Sequence, residues 1–557
     1  MYPTNNPLSH SFKPLIATSL ALALSVSVTS AANCPSTSQN PICYGTGGTA
    51  NTPYTGITFG DKSGFKELKY NTSTSIDNLT FQLQTSGNIG ETLAGNNLTL
   101  SLGGNQAIFQ LTNTGAGLQI KNLEVNFEGD ARQGTFARKM NLNFNGTTQN
   151  TAFKGNITIR AGNSINDKVE AVFSKDMEGN LKVMGRKVDQ KFLFNQIKTT
   201  FTFKNGANFK GSLENYKAEG GVNFIFEGRG NVEGNIKSYG YIQGLEAFAG
   251  YNTNVNNNFT FKGNENKIIT TTLGEILAQS GASRNACNKI LFADKGQIGE
   301  QDKLINIVAK PNFYYDNYHP NATAKAQNFI LFKGEATLHL NKLETAHKDS
   351  YRRNIISLEG SNNTLTIQTI DSGVANSAGN TLKGHNLIGK GFLNNASEAK
   401  DLSETTTATS PTTANIARGT LTVGTIKGGG TNKILIQNLT VTTKIEANGG
   451  SNYINSSQGV VKIVGNVEAT GSGINEFSLH SSTLTLQGTN NVITTLRGSG
   501  SNSIDIGSDT SQATNGFNLL TIGKTDATGL QANNLLFKVF ADPNAPDATL
   551  GGANFNK

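Results

Sequence analysis

A phrase repeated with variation near the C-terminal end constrains this chain most: an apolar residue, a glycine-rich turn, an asparagine, a spacer, another apolar residue. It reads Ile426-Lys-Gly428-Gly-Gly430-Thr-Asn432-Lys-Ile434, then Leu496-Arg-Gly498-Ser-Gly500-Ser-Asn502-Ser-Ile504. Shorter copies run from Leu358 through Asn362 and Asn363 to Leu365, from Leu486 through Asn490 and Asn491 to Ile493, and from Phe261 through Asn266 to Ile268. Looser copies run from Ile445 to Ile454 and from Val467 to Phe477. Gly and Asn supply backbone angles that a β-carbon penalises, so the phrase is strand, tight turn, strand. A strand-and-turn unit that recurs is the mark of a solenoid.

Short alternations fill the rest of the chain, among them Leu98-Thr-Leu100-Ser-Leu102, Leu123-Glu-Val125-Asn-Phe127, Phe201-Thr-Phe203, Phe224-Ile-Phe226, Leu338-His-Leu340 and Leu484-Thr-Leu486. Each has one face buried and one wet. Sandwiches and antiparallel barrels prefer hairpins of regular length. Here Ile434, Ile454 and Phe477 fall about one 20-residue coil apart, the requirement of a three-faced coil of short strands. The predicted fold is all-β, a right-handed parallel β-helix with a short helix-containing excursion. Roughly 20 coils stacked at about 4.8 Å give a rod on the order of 100 Å long, with asparagines stacking at the corners to satisfy buried turn backbone.

The expected organisation begins with a signal peptide at 1–32, with one positive charge at Lys13, an apolar stretch from Leu15 to Val28 and small residues before Asn33. An N-terminal cap at 33–70 follows, with Cys34 and Cys43 spaced for a disulfide loop in an oxidising compartment. The first part of the β-helix covers 71–270. An excursion at 271–349 holds a helix from Thr272 to Gln279, read from Leu273, Ile276 and Leu277 at helical spacing, and an aromatic loop around Tyr314, Tyr315, Asp316 and His319, the candidate ligand contacts. The β-helix resumes at 350–397, a Thr/Ser-rich exposed loop occupies 398–418, the last part of the helix spans 419–540, and a frayed end closes at 541–557.

Chemistry is sparse. Gly60-Asp-Lys-Ser63-Gly is a turn, since the only upstream histidine, His10, lies in the leader and a chymotrypsin-order triad cannot form. Polysaccharide lyases and hydrolases need clustered acids, yet no Asp-x-Asp occurs in the sequence. No catalytic, metal or cofactor residues are assigned. His339 belongs on an outer face, and Cys287 is expected to be a buried small hydrophobe. The net charge of +8 is scattered among acids without a run or stripe, which points to solvated outer faces and no nucleic-acid partner.

A leader followed by an Asn- and Gly-rich, proline-poor solenoid resembles the passenger region of autotransporters. The turns from Gly428 to Ile434 and Gly498 to Ile504, with Leu536-Phe-Lys-Val-Phe-Ala-Asp542, are similar to the vacuolating-cytotoxin-like (toxin-like outer membrane) proteins of Helicobacter. The resemblance implies export through the inner membrane, then release or display at the Gram-negative surface, an outer-membrane β-barrel translocator as partner, and contact with a host or bacterial surface protein or glycan. No block of lipid-facing barrel strands is visible before Lys557, so the barrel is expected outside this sequence. The apolar, glycine-zipper N-terminus of the pore-forming toxin is missing after Ala32, which withholds any inference of toxicity. The alternatives are a β-helix polysaccharide lyase or hydrolase, and a non-functional fragment of an interrupted gene.

Overall fold

The structure, a computed structural model, describes the strands between 42 and 539 and most of the turns that join them. Outside the described residues lie 1–41, 46–56, 63–64, 73–76, 84–96, 105–106, 114–117, 128–137, 146–150, 161–166, 185–186, 189–190, 193–197, 217–220, 241–252, 282–283, 312–324, 346–351, 374–383, 396–397, 400–412, 507–518, 526–534 and 540–557. Two compact units emerge: Met1–Gly211 with Ala218–Glu227, and Ser212–Lys217 with Gly228–Lys557. The described residues contain no α-helix, only strands and a single 3-10 turn at Thr413–Asn415.

The first unit opens with two antiparallel pairs, Ile57–Lys62 against Phe65–Thr72 and Ile42–Gly45 against Asp77–Leu83. From there its stacked columns are parallel, with one small antiparallel pair, Lys187–Val188 against Lys191–Phe192, set apart from them. One column stacks Phe65–Thr72, Asn97–Gly104, Leu118–Phe127 and Thr151–Arg160. Another stacks Asp77–Leu83, Ala107–Asn113, Lys139–Phe144, Lys168–Phe173, Lys198–Phe203 and Val222–Phe226. The alternating pattern points every second side chain inward, and with strands in register, like falls on like. Phe144, Phe173, Phe203 and Phe226 form a column of rings 5.0, 5.0 and 4.6 Å apart, all nearly parallel and fully buried, a spacing that suits offset stacking.

One ion pair is sealed in this unit. Arg138 donates from Nε and Nη2 to the two carboxylate oxygens of Asp167 at 3.0 and 2.7 Å, and from Nη1 to the Leu102 carbonyl at 3.2 Å. Its guanidinium also lies 5.3 Å from the centre of the Phe127 ring. Both charged side chains are completely buried. Each residue immediately precedes a strand of the second column, so the pair clamps two successive coils where they turn.

The second unit shows the three-faced coil most plainly. Thr431–Asn448 wraps three faces, and its segments pair in turn with Ser451–Ser457, Val460–Ile463 and Asn466–Thr470. The next coil adds Ile474–His480 and Thr483–Leu486 to the first two faces. Ile434, Ile454 and Phe477 are register partners, as the spacing predicts.

A ladder of nine asparagines runs along one corner: Asn215, near the end of a third-face strand, then Asn257, Asn288, Asn328, Asn354, Asn386, Asn432, Asn452 and Asn475 inside the first face. Each of the first eight donates a side-chain N–H to the Oδ1 of the next at 2.8 to 3.0 Å. Most spend a second N–H on a backbone carbonyl near the end of the third-face strand across the corner, such as Asn354 on Glu344 and Asn432 on Lys427. All nine are buried. A carboxamide has two donors and an acceptor with two lone pairs, so a one-residue slip of any coil would strand several of these groups at about 1–3 kcal/mol each. The ladder spans about 40 Å at one coil per 4.8 Å or so.

The repeated phrase serves at all three corners. Asn432 opens the first face as a ladder member. Asn363 and Asn502 open the second and turn N–H groups onto their own turns, at Gly360 and Ser499, whereas Asn266 donates to Gly228 and Gly230 in the turn of the preceding coil. Asn491 opens the third and bonds Gly488. The glycines are required where two coils approach: Gly428 has φ 134°, and a Cβ there would stand 2.4 Å from the Ser372 Oγ. Gly430 would meet the Gly384 carbonyl at 2.4 Å, Gly500 has φ 74°, and Gly498 is buried at the end of its strand.

The expected helix is corrected. Residues 274–280 form the strand Gly274–Ser280, paired on one side with Ile236–Tyr239 and on the other with Ile305–Pro311. Ladder hydrogen bonds on both edges outweigh a one-turn helical spacing, which has a costly nucleus and little length to offset it. Leu273, the first residue of that spacing, is 58% exposed and outside the core. Strands at Arg284–Phe292, Gly296–Ile298, Ala326–Phe332 and Ala336–Thr345 continue the coil through the expected excursion. Phe261, Phe292 and Phe332 stack within it at 4.7 and 4.6 Å.

Candidate functional face

With the interior given to packing and registry, the outward residues of the first face in the second unit are the ones free to vary. They run in files set by strand register. The first is Phe329, Ile355, Leu387, Lys433, Tyr453 and Glu476 on successive coils. Alongside it, Leu435, Asn455, Ser478 and Arg497 form a second file, and Ser457, His480 and Ser499 a third.

Toward its N-terminal end the face is apolar and covered. Cys287, Phe329, Leu331, Ile355, Leu387 and Leu435 point out of the coil yet are buried, because Phe392, Leu393 and Ile416 pack over them. That cover is pinned by polar contacts. Gly391 N–H and the Ser357 hydroxyl both donate to Glu359 Oε1, at 2.8 and 2.9 Å, and Phe392 N–H donates to Ser357 Oγ at 3.2 Å. Lys390 and Asn415 exchange two further hydrogen bonds. A shallow groove of about 430 Å³ remains, lined by Leu331, Lys333, Glu359, Gly391 and Leu393.

Toward its C-terminal end the face is polar. Arg497 Nε donates to Glu476 Oε1 at 2.9 Å. His480 stands between two hydroxyls, Ser478 Oγ at 3.2 Å from Nε2 and Ser499 Oγ at 2.7 Å from Nδ1. Burial pulls the His480 pKa below the ordinary imidazole value, so the ring is neutral near pH 7. A neutral His beside Ser478 has the outline of a base and nucleophile. Its orienting partner is another hydroxyl, which stabilises a developing imidazolium far less than the carboxylate of a hydrolase triad. Burial likewise lowers the Lys433 pKa, against the opposing pull of Glu476.

Other expectations find their places here. Cys287 is a buried packing residue whose thiol is pushed up to about 12 by burial, and His339 points outward from its strand. Lys and Arg on the outer faces pair with acids of neighbouring coils, as Lys139 with Glu170, Lys210 with Asp176, Lys237 with Glu275 and Lys295 with Glu335. Tyr314, Tyr315, Asp316, His319 and Cys34 lie outside the described residues. Cys43 is in the strand Ile42–Gly45, opposite Gln82, and its side chain is likewise outside them. Among the described residues no three His, Cys, Asp or Glu come together as a metal cluster, and no helix is long and apolar enough to cross a membrane.

Sequence reasoning missed this face. Its residues come from coils whose lengths differ widely, and alternation marks a side chain as outward without saying which outward residues align.

No protein-family model, curated protein or solved structure matches this chain.

Proposed function

We propose that this chain is an exported, non-enzymatic β-solenoid that works by contact, as an adhesin-like passenger binding a host or bacterial surface protein or glycan through its outer faces. The observation that carries the reading is the division of labour in the second unit. The inward side of the first face is a satisfied polar ladder, while the outward side brings Tyr453, His480, Arg497 and Ser499 into one polar area beside an apolar floor. Aromatic and Arg side chains grouped at the margin of a desolvated patch suit protein or glycan recognition. A coil that stacks only on its predecessor also suits export, because folding propagates without a distant partner. In this reading the leader at 1–32 directs passage through the inner membrane, and a β-barrel translocator outside this sequence carries the passenger to the surface.

The test is binding of the purified full chain, without its leader, to cultured epithelial cells and to Gram-negative cells. Saturable binding is expected, falling about tenfold in a Tyr453→Ala, His480→Ala double variant. Binding untouched by that variant would move the contact elsewhere, and the absence of saturable binding to either cell type would overturn the proposal.

A further inference from the structure

Lys433, Asn455 and Glu476 occupy three successive coils on the outward side of the first face. Lys433 is the register partner of Leu387 on one side and Tyr453 on the other, and Asn455 that of Leu435 and Ser478. Asn455 is therefore diagonal to both Lys433 and Glu476, a separation of about 7–8 Å that long side chains bridge. The surroundings are dry. Leu435 is fully buried, Leu387 is 7% exposed, and Asn455 and Glu476 are 3% and 8% exposed.

Two groups here are anomalous. The Asn455 carboxamide nitrogen is buried and makes no hydrogen bond among the described residues, a state that costs about 1–3 kcal/mol if nothing compensates it. Lys433 closes no ion pair among the described residues, although the Glu476 carboxylate is near enough for its charge to be felt. Burial lowers the Lys433 pKa against the opposing pull of Glu476, a shift toward the neutral, nucleophilic amine. Diagonal to it stands the Asn455 carboxamide, whose nitrogen makes no hydrogen bond among the described residues. Arg497 occupies one Glu476 oxygen, which leaves the other to carry a proton.

We propose that Lys433 and Asn455 become joined by an intramolecular isopeptide bond, with Glu476 as the proton carrier. The Lys433 Nζ adds to the Asn455 Cγ. Glu476 takes a proton from Nζ and passes it to Nδ2; the Cγ–Nδ2 bond breaks, ammonia leaves, and the Nζ–Cγ amide remains. No electron changes hands and no co-reactant is required. The product locks two adjacent coils covalently beside the polar area, removes the buried unpaired N–H and replaces a desolvated amine with an amide. The inference is independent of what the face binds.

Mass spectrometry of the full-length folded protein after tryptic digestion decides it. In the unlinked chain trypsin cuts after Lys427, Lys433, Lys444 and Lys462. The linked chain gives segment 428–444, uncut at Lys433, joined to segment 445–462, with a mass one ammonia below their sum. Lys433→Arg and Asn455→Ala each abolish this species, and Glu476→Gln slows its appearance. Recovery of free segment 445–462 with an intact Asn455, together with cleavage after Lys433, overturns the bond. Appearance of the linked species at the wild-type rate in Glu476→Gln overturns the proton carrier.

Discussion

The two units register their coils by different physics. In the first, the column from Phe144 to Phe226 is held by stacking, the fully buried polar contact between coils is the Arg138–Asp167 pair, and the remaining directional bonds, such as Asn156 to Asn122 and Asn208 to Asp176, sit at partly buried corners. In the second, each step from Asn215 to Asn475 carries a directional hydrogen bond. Stacked rings lose little when they slide by a fraction of their width. Carboxamides that miss their partner in a dry interior lose the full cost of desolvation. Apolar residues make a coil collapse, and buried polar residues decide where it stops.

The largest effect expected from breaking this contrast lies in the first unit. Asp167→Ala leaves the Arg138 charge buried and uncompensated, and should destabilise that unit by about 3–5 kcal/mol, whereas replacing both partners with apolar residues of similar volume should cost far less. Urea unfolding, followed by hydrogen exchange in Lys139–Phe144 and Lys168–Phe173, measures both. Next comes the ladder. Asn354→Ala strands the Asn328 donor, the Asn386 acceptor and the Glu344 carbonyl, for a loss of about 2–4 kcal/mol in the second unit. Asn475→Ala, at the ladder's end, should cost roughly half of that because no further asparagine hangs from it. Phe173→Leu removes two ring contacts but strands no polar group, and should cost about 1–2 kcal/mol. Equal losses for Phe173→Leu and Asn354→Ala would erase the distinction between the units.

The smallest effect is chemical. Cys287 holds its proton in the folded chain up to about 12, against 9.0 for a free thiol. Because the folded pKa is raised, its contribution to stability is complete below pH 9 and is lost as pH climbs toward 12. Near neutral pH, modification by a thiol reagent should follow unfolding. Fast labelling of the native chain would show that the apolar cover of Phe392, Leu393 and Ile416 opens.

Much of this architecture is legible in the sequence. Alternation identifies inward residues because a strand has a period of two, and the spacing of the anchors Ile434, Ile454 and Phe477 gives the register of three coils. The ladder as a whole is hidden by its spacing. Its last two steps are 20 and 23 residues, while the step from Asn386 to Asn432 is 46, since loops of different length leave the corners. The misread helix at Thr272–Gln279 has a related cause: Ile276 and Leu277 look like one face of a turn until strands on both sides claim the backbone. Arg138 and Asp167 carry no local signal, being 29 residues apart and joined only when two coils stack.

The most direct test of registry by the asparagine ladder is hydrogen exchange, read by mass spectrometry, on the full chain carrying Asn354→Ala, with Asn362→Ala as its control; Asn362 is exposed on a neighbouring turn. The account predicts that Asn354→Ala speeds exchange in Ala326–Phe332, Arg352–Leu358 and His385–Gly389 together, the three coils that its hydrogen bonds join, while strands of the first unit and the Asn362→Ala control keep wild-type protection. Loss of protection confined to Arg352–Leu358, or an equal loss in the control, would contradict it.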